Sequence, residues 1–212
     1  MIVAIVGPSG SGKSSLRKAL ECFYRAKAIG AVPHGYDENI VKAVEGMMWK
    51  DIKEIKDKFV VKEAISHTTR PRRSGEVNGI HYYFVEENDF LALSRYESTL
   101  YNGYYYGLTE ESVEETLRFS EIALVVVDQH GVSNIKNKTP YVKSIFLKSD
   151  LKTMEARMLE RGDRRENVQK RLNNAIVNQE LEYPAADYAI DNRGELISAL
   201  SQAIDIIEEL RK

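Results

Sequence analysis

Short runs of apolar residues alternate with longer amphipathic stretches along most of this chain. Residues 2–6, 122–127 and 142–147 are rich in β-branched side chains and predict strands that are buried on both faces. Residues 13–28 and 195–210 instead carry apolar side chains at helical spacing, with one side suited to a core. Strands that alternate with helices favour a parallel sheet covered by helices. We therefore predict an α/β fold with a three-layer α/β/α core.

Two other stretches differ from this pattern. Residues 59–108 are rich in tyrosine, arginine and glycine, which predicts short strands and turns. Residues 148–174 have a helical pattern and are heavily charged. No internal repeat or low-complexity linker separates the stretches, so we expect residues 1–212 to form one domain with subdomains.

Charge and cysteine content exclude several classes of protein. The chain has 212 residues, of which 30 are basic and 32 acidic, and the net charge of −2 predicts no nucleic acid and no membrane as partner. Cys22 is the only cysteine, so neither an intramolecular disulfide nor a cysteine cluster for zinc is expected. The first strand begins without a basic leader, and no apolar run approaches the ~20 residues of a membrane span. We expect a soluble protein of the cytoplasm.

The segment between the first strand and the first helix matches the phosphate-loop pattern G-x-x-x-x-G-K-S/T in full. Its glycines allow backbone N–H groups to surround phosphate oxygens at the positive end of the helix. Lys13 is expected to reach the β- and γ-phosphates of ATP, and the hydroxyl of Ser14 to bind Mg²⁺. The residues predicted to contact the nucleotide phosphates are Gly7, Pro8, Ser9, Gly10, Ser11, Gly12, Lys13, Ser14 and Ser15.

A second anion site is predicted at residues 66–84, "SHTTRPRRSGEVNGIHYYF". Arginine forks, hydroxyl donors and a carboxylate that holds the forks are the groups that bind a phosphate. Taken alone, the stretch fits a solvated basic loop equally well. The groups in question are Arg70, Arg72, Arg73, Glu76, Tyr82 and Tyr83.

Together with the phosphate loop, these residues resemble the guanylate kinase family. The family signature is T-S/T-R-x-x-K/R-x-x-D/E-x-x-G-x-x-Y-x-F/Y. It is met in full by Thr68, Thr69, Arg70, Arg73, Glu76, Gly79, Tyr82 and Phe84. The resemblance continues through Glu97, Tyr105, Tyr106, Gly107, Asp128, Arg161, Gly162, Arg171 and Asn192.

The resemblance implies phosphoryl transfer from ATP to GMP or dGMP, with Mg²⁺. It implies that Arg70, Arg73, Tyr82 and Tyr106 hold the phosphate of GMP, and that Ser66, Glu97 and Asp128 face the guanine. Glu76 is expected to hold one of the arginines. Lys13, Arg70, Arg161 and Arg171 are the expected catalytic residues, with Arg157, Arg164 and Arg165 as possible helpers in the lid.

The resemblance also implies how the chain is divided. The implied parts are a core of residues 1–30, 110–150 and 185–212, a helical insertion at about 31–58, a small mixed monophosphate-binding subdomain at 59–109 and a helical lid at about 151–175.

Two departures from the family pattern leave alternatives open. Leu108 stands where the family normally has a serine or threonine that contacts guanine, so a kinase of shifted or broad base specificity is an alternative. A catalytically silent binding module is a further alternative.

The segment between Lys13 and Thr68 is longer than is usual in the family. It predicts an amphipathic helix, capped by Asp37, with Ile40, Val44, Met47, Met48, Ile52 and Ile55 on one face. This helix packs either on its own domain or in a homodimer, so the protein is expected to be a monomer or a homodimer.

Overall fold

A computed structural model describes residues 1–47, 59–101 and 103–212 of the chain. In chain order the strands are β1 (Ile2–Val6), β2 (Phe59–Glu63), β3 (His67–Thr68), β4 (Tyr83–Phe84), β5 (Arg95–Tyr101), β6 (Tyr104–Thr109), β7 (Ser120–Val126), β8 (Val142–Lys148) and β9 (Tyr188–Asp191). The helices are α1 (Lys13–Ile29), α2 (Glu38–Met47), α3 (Glu87–Ala92), α4 (Glu110–Phe119), α5 (Gln129–Lys138), α6 (Leu151–Glu160), α7 (Arg165–Val177) and α8 (Leu196–Leu210).

The main sheet has five parallel strands in the order β2-β7-β1-β8-β9. Side chains alternate along its central strand, as the pleat requires. Val3 and Ile5 pack under α1, α2 and α8, whereas Ile2, Ala4 and Val6 pack with residues of α4 and α5 on the other face. This arrangement confirms the predicted three-layer α/β/α core.

A smaller mixed sheet lies between β2 and α4 in the chain. Its four strands have the order β4-β3-β6-β5, with β3 parallel to β4 and the other pairs antiparallel. The boundary predicted for this subdomain at residue 59 is wrong, because β2 pairs with β7 in the main sheet. Val61 is the only fully buried residue of this edge strand, so the strand lacks the continuous apolar run of its neighbours.

The predicted insertion contains the short helix α2. Its start is capped as expected, since the backbone N–H of Ile40 donates to Asp37 Oδ1 at 3.1 Å. Ile40, Ala43 and Val44 are buried, and α2 contacts α1 and α8. The described part of the insertion therefore packs on its own domain. Three positions assigned to the same face lie outside the described residues: Met48, Ile52 and Ile55.

The predicted lid is a pair of helices, α6 and α7, with a small core of its own. The buried residues of this core are Met154, Met158, Val168, Leu172 and Ala175. The first of the two helices lies against the phosphate loop, because a Cβ on Gly10 would be 3.0 Å from the carbonyl oxygen of Met154. Within the described ranges, every helix is too short or too polar to cross a bilayer.

Candidate active site

The predicted site residues gather at one edge of the main sheet. The phosphate loop follows β1, Asp128 follows β7 and Asn192 follows β9. Because the strands are parallel, their carboxyl ends share this edge, which is where ligands bind in open α/β sheets. The topology thus brings together residues that are far apart in the chain.

The phosphate loop has a backbone that only glycine adopts without strain. Gly10 and Gly12 have φ values of 84° and 94°, in the left-handed region. A Cβ on Gly12 would be 2.5 Å from the side-chain nitrogen of Asn192. That nitrogen donates a hydrogen bond of 2.6 Å to the carbonyl of Ser11, which fixes the loop from outside. The loop is therefore held open as a cradle of backbone groups that suits phosphate oxygens.

Lys13 has its ammonium folded onto the loop itself. Its Nζ donates to the carbonyl oxygens of Gly7 at 2.6 Å and Pro8 at 2.9 Å. Burial lowers the pKa of Lys13 to about 8, although the charges of Glu180 and Asp128 act in the opposite direction. A poorly hydrated cation of this kind gains more from an anionic ligand than a fully solvated lysine does.

Two of the described buried polar atoms that lack a partner belong to the loop itself or to Asn192, which holds it. Among the described residues, Ser11 Oγ, Ser149 Oγ and Asn192 Oδ1 are buried without a hydrogen-bond partner. Buried polar atoms are normally paired, so such atoms indicate a place for a bound group. Ser14 and Ser15 are exposed in the first turn of α1, where the hydroxyl of Ser14 is open to a ligand.

The second predicted anion site is centred on a buried arginine. Arg70 makes two parallel hydrogen bonds to Glu76, Nη1 to Oε2 at 3.0 Å and Nη2 to Oε1 at 2.8 Å. The backbone N–H of Arg73 donates to the same carboxylate at 2.8 Å. These donors lower the pKa of Glu76 to about 2, with Arg70 as the main cause. Glu76 thus holds the guanidinium of Arg70 and the backbone of Arg73.

Aromatic rings surround the Arg70 guanidinium. Its central carbon lies 5.7 Å from the ring centre of Tyr82 and 5.6 Å from that of Phe84. The ring of Tyr106 packs edge-on against Tyr82, with centroids 5.8 Å apart. Glu76 raises the pKa of Arg70, and Tyr106 adds to this shift through a hydrogen bond. The name Arg70 cluster is used below for Glu76 and the four predicted phosphate ligands, Arg70, Arg73, Tyr82 and Tyr106.

Glu97 lies close to Asp128, since a Cβ on Gly131 would be 3.5 Å from Glu97 Oε2 and 3.4 Å from Asp128 Oδ1. An irregularity in the pairing of β5 with β6, between Arg95 and Glu97, sets the register here. Glu97 Oε1 accepts the backbone N–H of Leu108 at 3.2 Å. Burial raises the pKa of Glu97 to about 7, and the charge of Asp128 adds to the increase. Asp128 also caps α5, because its Oδ1 accepts the N–H of Gly131 at 2.7 Å.

Asp128 links the two halves of the site, because its charge acts on Lys13 as well as on Glu97. Ser66, the remaining predicted base contact, is half-buried just before β3, and its carbonyl accepts the N–H of Tyr83 at 2.9 Å. Asp128 is thus the residue that relates the predicted donor site to Glu97.

The side chain of Leu108 is completely buried. It packs with Val113, Val132 and Ile135 in the core under α4 and α5. The residue that departs from the family pattern is thus a core residue whose backbone, rather than its side chain, contacts Glu97.

The lid arginines differ in their contacts. Arg161 and Arg171 both pair with Asp163, and so are held within the lid. Arg157 instead reaches the phosphate loop, where it donates to the carbonyl of Ser11 at 3.4 Å. It also donates to the carbonyl of Gly194, beyond β9, at 3.1 Å. The sequence ranked Arg157 below the other two because nothing in its local pattern indicates a contact so distant in the chain.

A parallel α/β core with a phosphate loop, joined to a second anion-binding sheet and a helical lid, defines the architecture of a phosphate-loop nucleotide kinase. A family model described as guanylate kinase matches residues 45–209. The guanylate kinase of Salmonella typhimurium (strain LT2) is 30% identical over 213 residues, which cover 98% of this chain and 86% of that protein. The chain belongs to the guanylate kinase family.

Two further comparisons agree with this assignment. The guanylate kinase of Haemophilus influenzae (strain 86-028NP) is 37% identical over 136 residues, or 61% of this chain and 65% of that protein, slightly under two thirds of its length. The crystal structure of guanylate kinase from Anaplasma phagocytophilum is similar in fold, with a TM-score of 0.62 at 20% identity, covering all of this chain and 86% of that one.

Proposed function

We propose that this protein phosphorylates GMP, and dGMP as well, with ATP as the phosphoryl donor. Its membership of the guanylate kinase family supports the reaction. The observation that carries the proposal is the presence of two anion sites, the phosphate loop with Lys13 and the Arg70 cluster, in a chain that also holds the half-buried Glu97 near Asp128. One site suits the phosphates of the donor and the other suits the phosphate of the acceptor.

The phosphate loop positions the donor. Its N–H groups surround phosphate oxygens, and Lys13 exchanges the carbonyls of Gly7 and Pro8 for the anionic oxygens of ATP. Mg²⁺ fits the same place, because the exposed Ser14 hydroxyl adds one oxygen ligand to those of the phosphates, and oxygen ligands are what this ion prefers. When bound, the ion supplies neutralisation of phosphate charge.

The Arg70 cluster positions the acceptor. An arginine already held by Glu76 loses little freedom when it binds a phosphate. The phosphate of GMP carries anionic oxygens, so no general base is needed. Transfer then depends on orientation and on charge neutralisation by Lys13, Arg70 and lid arginines such as Arg157, Arg161 and Arg171.

Glu97 is the group that selects guanine. Guanine presents N1–H and an exocyclic NH₂, and an ionised carboxylate accepts both, whereas adenine has a bare acceptor at N1. The wrong base leaves buried polar groups unpaired, which costs about 1–3 kcal/mol. Ser66 and Asp128 are the expected additional contacts to the base.

A panel of nucleoside and deoxynucleoside monophosphates tests the proposal. Each is supplied at equal concentration with ATP and Mg²⁺, and the diphosphate formed is measured. We expect the highest kcat/KM for GMP and dGMP. A preference for AMP or for a pyrimidine nucleotide contradicts the role of Glu97 but leaves the kinase assignment intact.

The buried Leu108 favours one second candidate, a kinase with weakened discrimination between bases. Leu108 lacks the hydroxyl that the family normally has at this position. The complex with guanine is therefore expected to lose one hydrogen bond, about 1 kcal/mol. In the same panel, rates for other nucleotides that approach that for GMP support this candidate. A silent binding module is disfavoured by the intact Lys13 and Ser14, and is supported only if the wild type neither binds nor hydrolyses ATP.

A further inference from the structure

Three charged side chains outside the proposed ligand contacts meet at the end of β2. Arg17, on α1, is only 9% exposed. Its Nη1 lies 3.0 Å from Glu21 Oε2 and also contacts Glu63 Oε2. One guanidinium therefore lies between two carboxylates, and these residues are called the Arg17 cluster below.

The Arg17 cluster also holds the backbone of β2. The N–H of Glu63 donates to Glu21 Oε1 at 2.6 Å. Among the described strands, β2 pairs only with β7, so it is an edge strand of the main sheet. Side chains of α1 thus hold the last residue of β2, a strand that, among those described, is hydrogen-bonded to a neighbouring strand on one side only.

The Arg17 cluster joins the helix that follows the phosphate loop to the strand that precedes the Arg70 cluster. Arg17 lies one helical turn beyond Lys13 on α1. Glu63 ends β2, and the chain then enters the smaller sheet, with Arg70 seven residues further on. The end of β2 therefore lies between the phosphate-loop helix and the segment that carries Arg70.

We propose that Arg17 is a positioning residue for phosphoryl transfer, which acts through Glu63 to hold the Arg70 cluster in register with the phosphate loop. This inference rests on the proposed function. Without the guanidinium, the half-buried Glu63 loses its ion-pair partner, and the end of β2 loses this contact with α1. Transfer requires reacting atoms about 3–3.5 Å apart, and a misplacement of about 1 Å costs on the order of 100-fold in rate.

The test compares Arg17→Met and Arg17→Lys with the wild type. For Arg17→Met we expect kcat to fall by about tenfold or more, while the Kd of ATP changes by less than about twofold. Arg17→Lys keeps a cation between the carboxylates and should recover a large part of kcat. Urea unfolding of each variant defines conditions in which all are folded, so that kcat refers to folded protein.

Arg211→Met is the matched control. Arg211 also bridges two carboxylates, with 2.8 Å to Glu121 and 2.8 Å to Glu208. Glu121, however, lies at the start of β7, so this ion pair is at the amino ends of the parallel strands and away from the proposed active site. We expect this variant to lose stability and keep wild-type kcat. If Arg17→Met does not fold, Glu63→Gln replaces it, with a smaller fall in kcat expected.

Three results overturn the inference alone. They are wild-type kcat in folded Arg17→Met or Glu63→Gln, an equal loss of kcat in Arg211→Met, and a loss of kcat in Arg17→Met that Arg17→Lys does not recover, because the cation is then not the required group. A wild type that transfers phosphate to no monophosphate overturns the proposed function, and this inference with it.

Discussion

The phosphate loop and the Arg70 cluster are two anion sites built in different ways. The loop uses consecutive residues, and its lysine is held by carbonyls of Gly7 and Pro8. The Arg70 cluster uses side chains from the segment between β3 and β4 and from β6, and its arginine is held by the carboxylate of Glu76. A backbone cradle tolerates few changes, because its shape depends on glycine. In a side-chain cluster several groups contribute to binding one phosphate, so we expect single substitutions there to have smaller effects on activity.

The largest effect is expected for Lys13→Met. This change removes the cation at the phosphates while keeping a similar side-chain length, and loss of one such group costs roughly 100- to 1000-fold in kcat. Steady-state kcat with GMP measures it, and circular dichroism checks that the fold is intact. Activity within tenfold of wild type would contradict the role of Lys13 at the donor phosphates.

Gly12→Ala should weaken ATP binding by tenfold or more. The new Cβ meets Asn192 at 2.5 Å, and the residue has a φ of 94°, a conformation that costs on the order of 1–3 kcal/mol for other residues. Calorimetric titration with ATP measures the change. Gly30→Ala is the control, because its φ is also positive but nothing lies within 4 Å. Equal loss of ATP affinity in both variants would contradict the inference that ATP binding depends on the shape of the phosphate loop at Gly12.

Glu76→Gln should raise the KM for GMP about tenfold and leave the Kd of ATP unchanged, because Arg70 loses its charged support in the acceptor half only. Initial rates at varied GMP measure the effect. Glu38→Gln is the control, since it removes an exposed ion pair with Lys42 on α2. A rise in the Kd of ATP would show that the two sites do not differ as described.

The affinity for GMP should depend on pH through Glu97. Its pKa is raised to about 7 by burial, and only the ionised carboxylate accepts both guanine donors. Affinity should therefore rise with pH and fall about fivefold from pH 7 to pH 6. The raised pKa also favours the protonated form in the folded state, so this group's contribution to stability declines as pH rises from about 4.5 through 7.

Titrations of wild type and Glu97→Gln with GMP at several pH values separate this effect from the titration of the GMP phosphate itself. The variant should have lower affinity and a weaker pH dependence than the wild type. Identical pH profiles would exclude Glu97 as the titrating group.

The smallest effect is expected for Leu108→Thr. A hydroxyl at position 108, if it replaces the contact that the family makes there, should raise the preference for GMP over AMP by up to about fivefold, equivalent to about 1 kcal/mol. Because Leu108 is fully buried, the change should also cost about 1–3 kcal/mol of stability. Val113→Thr, in the same core cluster, controls for the stability loss. An unchanged base preference would show that position 108 acts through packing alone.

Much of the site was predictable because its pieces carry local patterns. The phosphate loop is continuous, so one motif named its residues. The family signature named Arg70, Arg73, Glu76 and Tyr82, and the wider resemblance added Tyr106. Other features were not predictable. Arg157 contacts Ser11 across 146 positions, and Glu63 contacts Glu21 across 42. A charged residue in a helix has the same local pattern whether it faces solvent or a distant carboxylate.

The sequence by itself determined the family, the three-layer core and the donor loop, because each depends on residues that are neighbours in the chain or on their periodic burial. The tertiary structure decided that β2 joins the main sheet, that Leu108 fills the core, and that Arg17 lies between two carboxylates. These features depend on distance in space, which is set by the pairing of strands and the packing of helices over the whole chain.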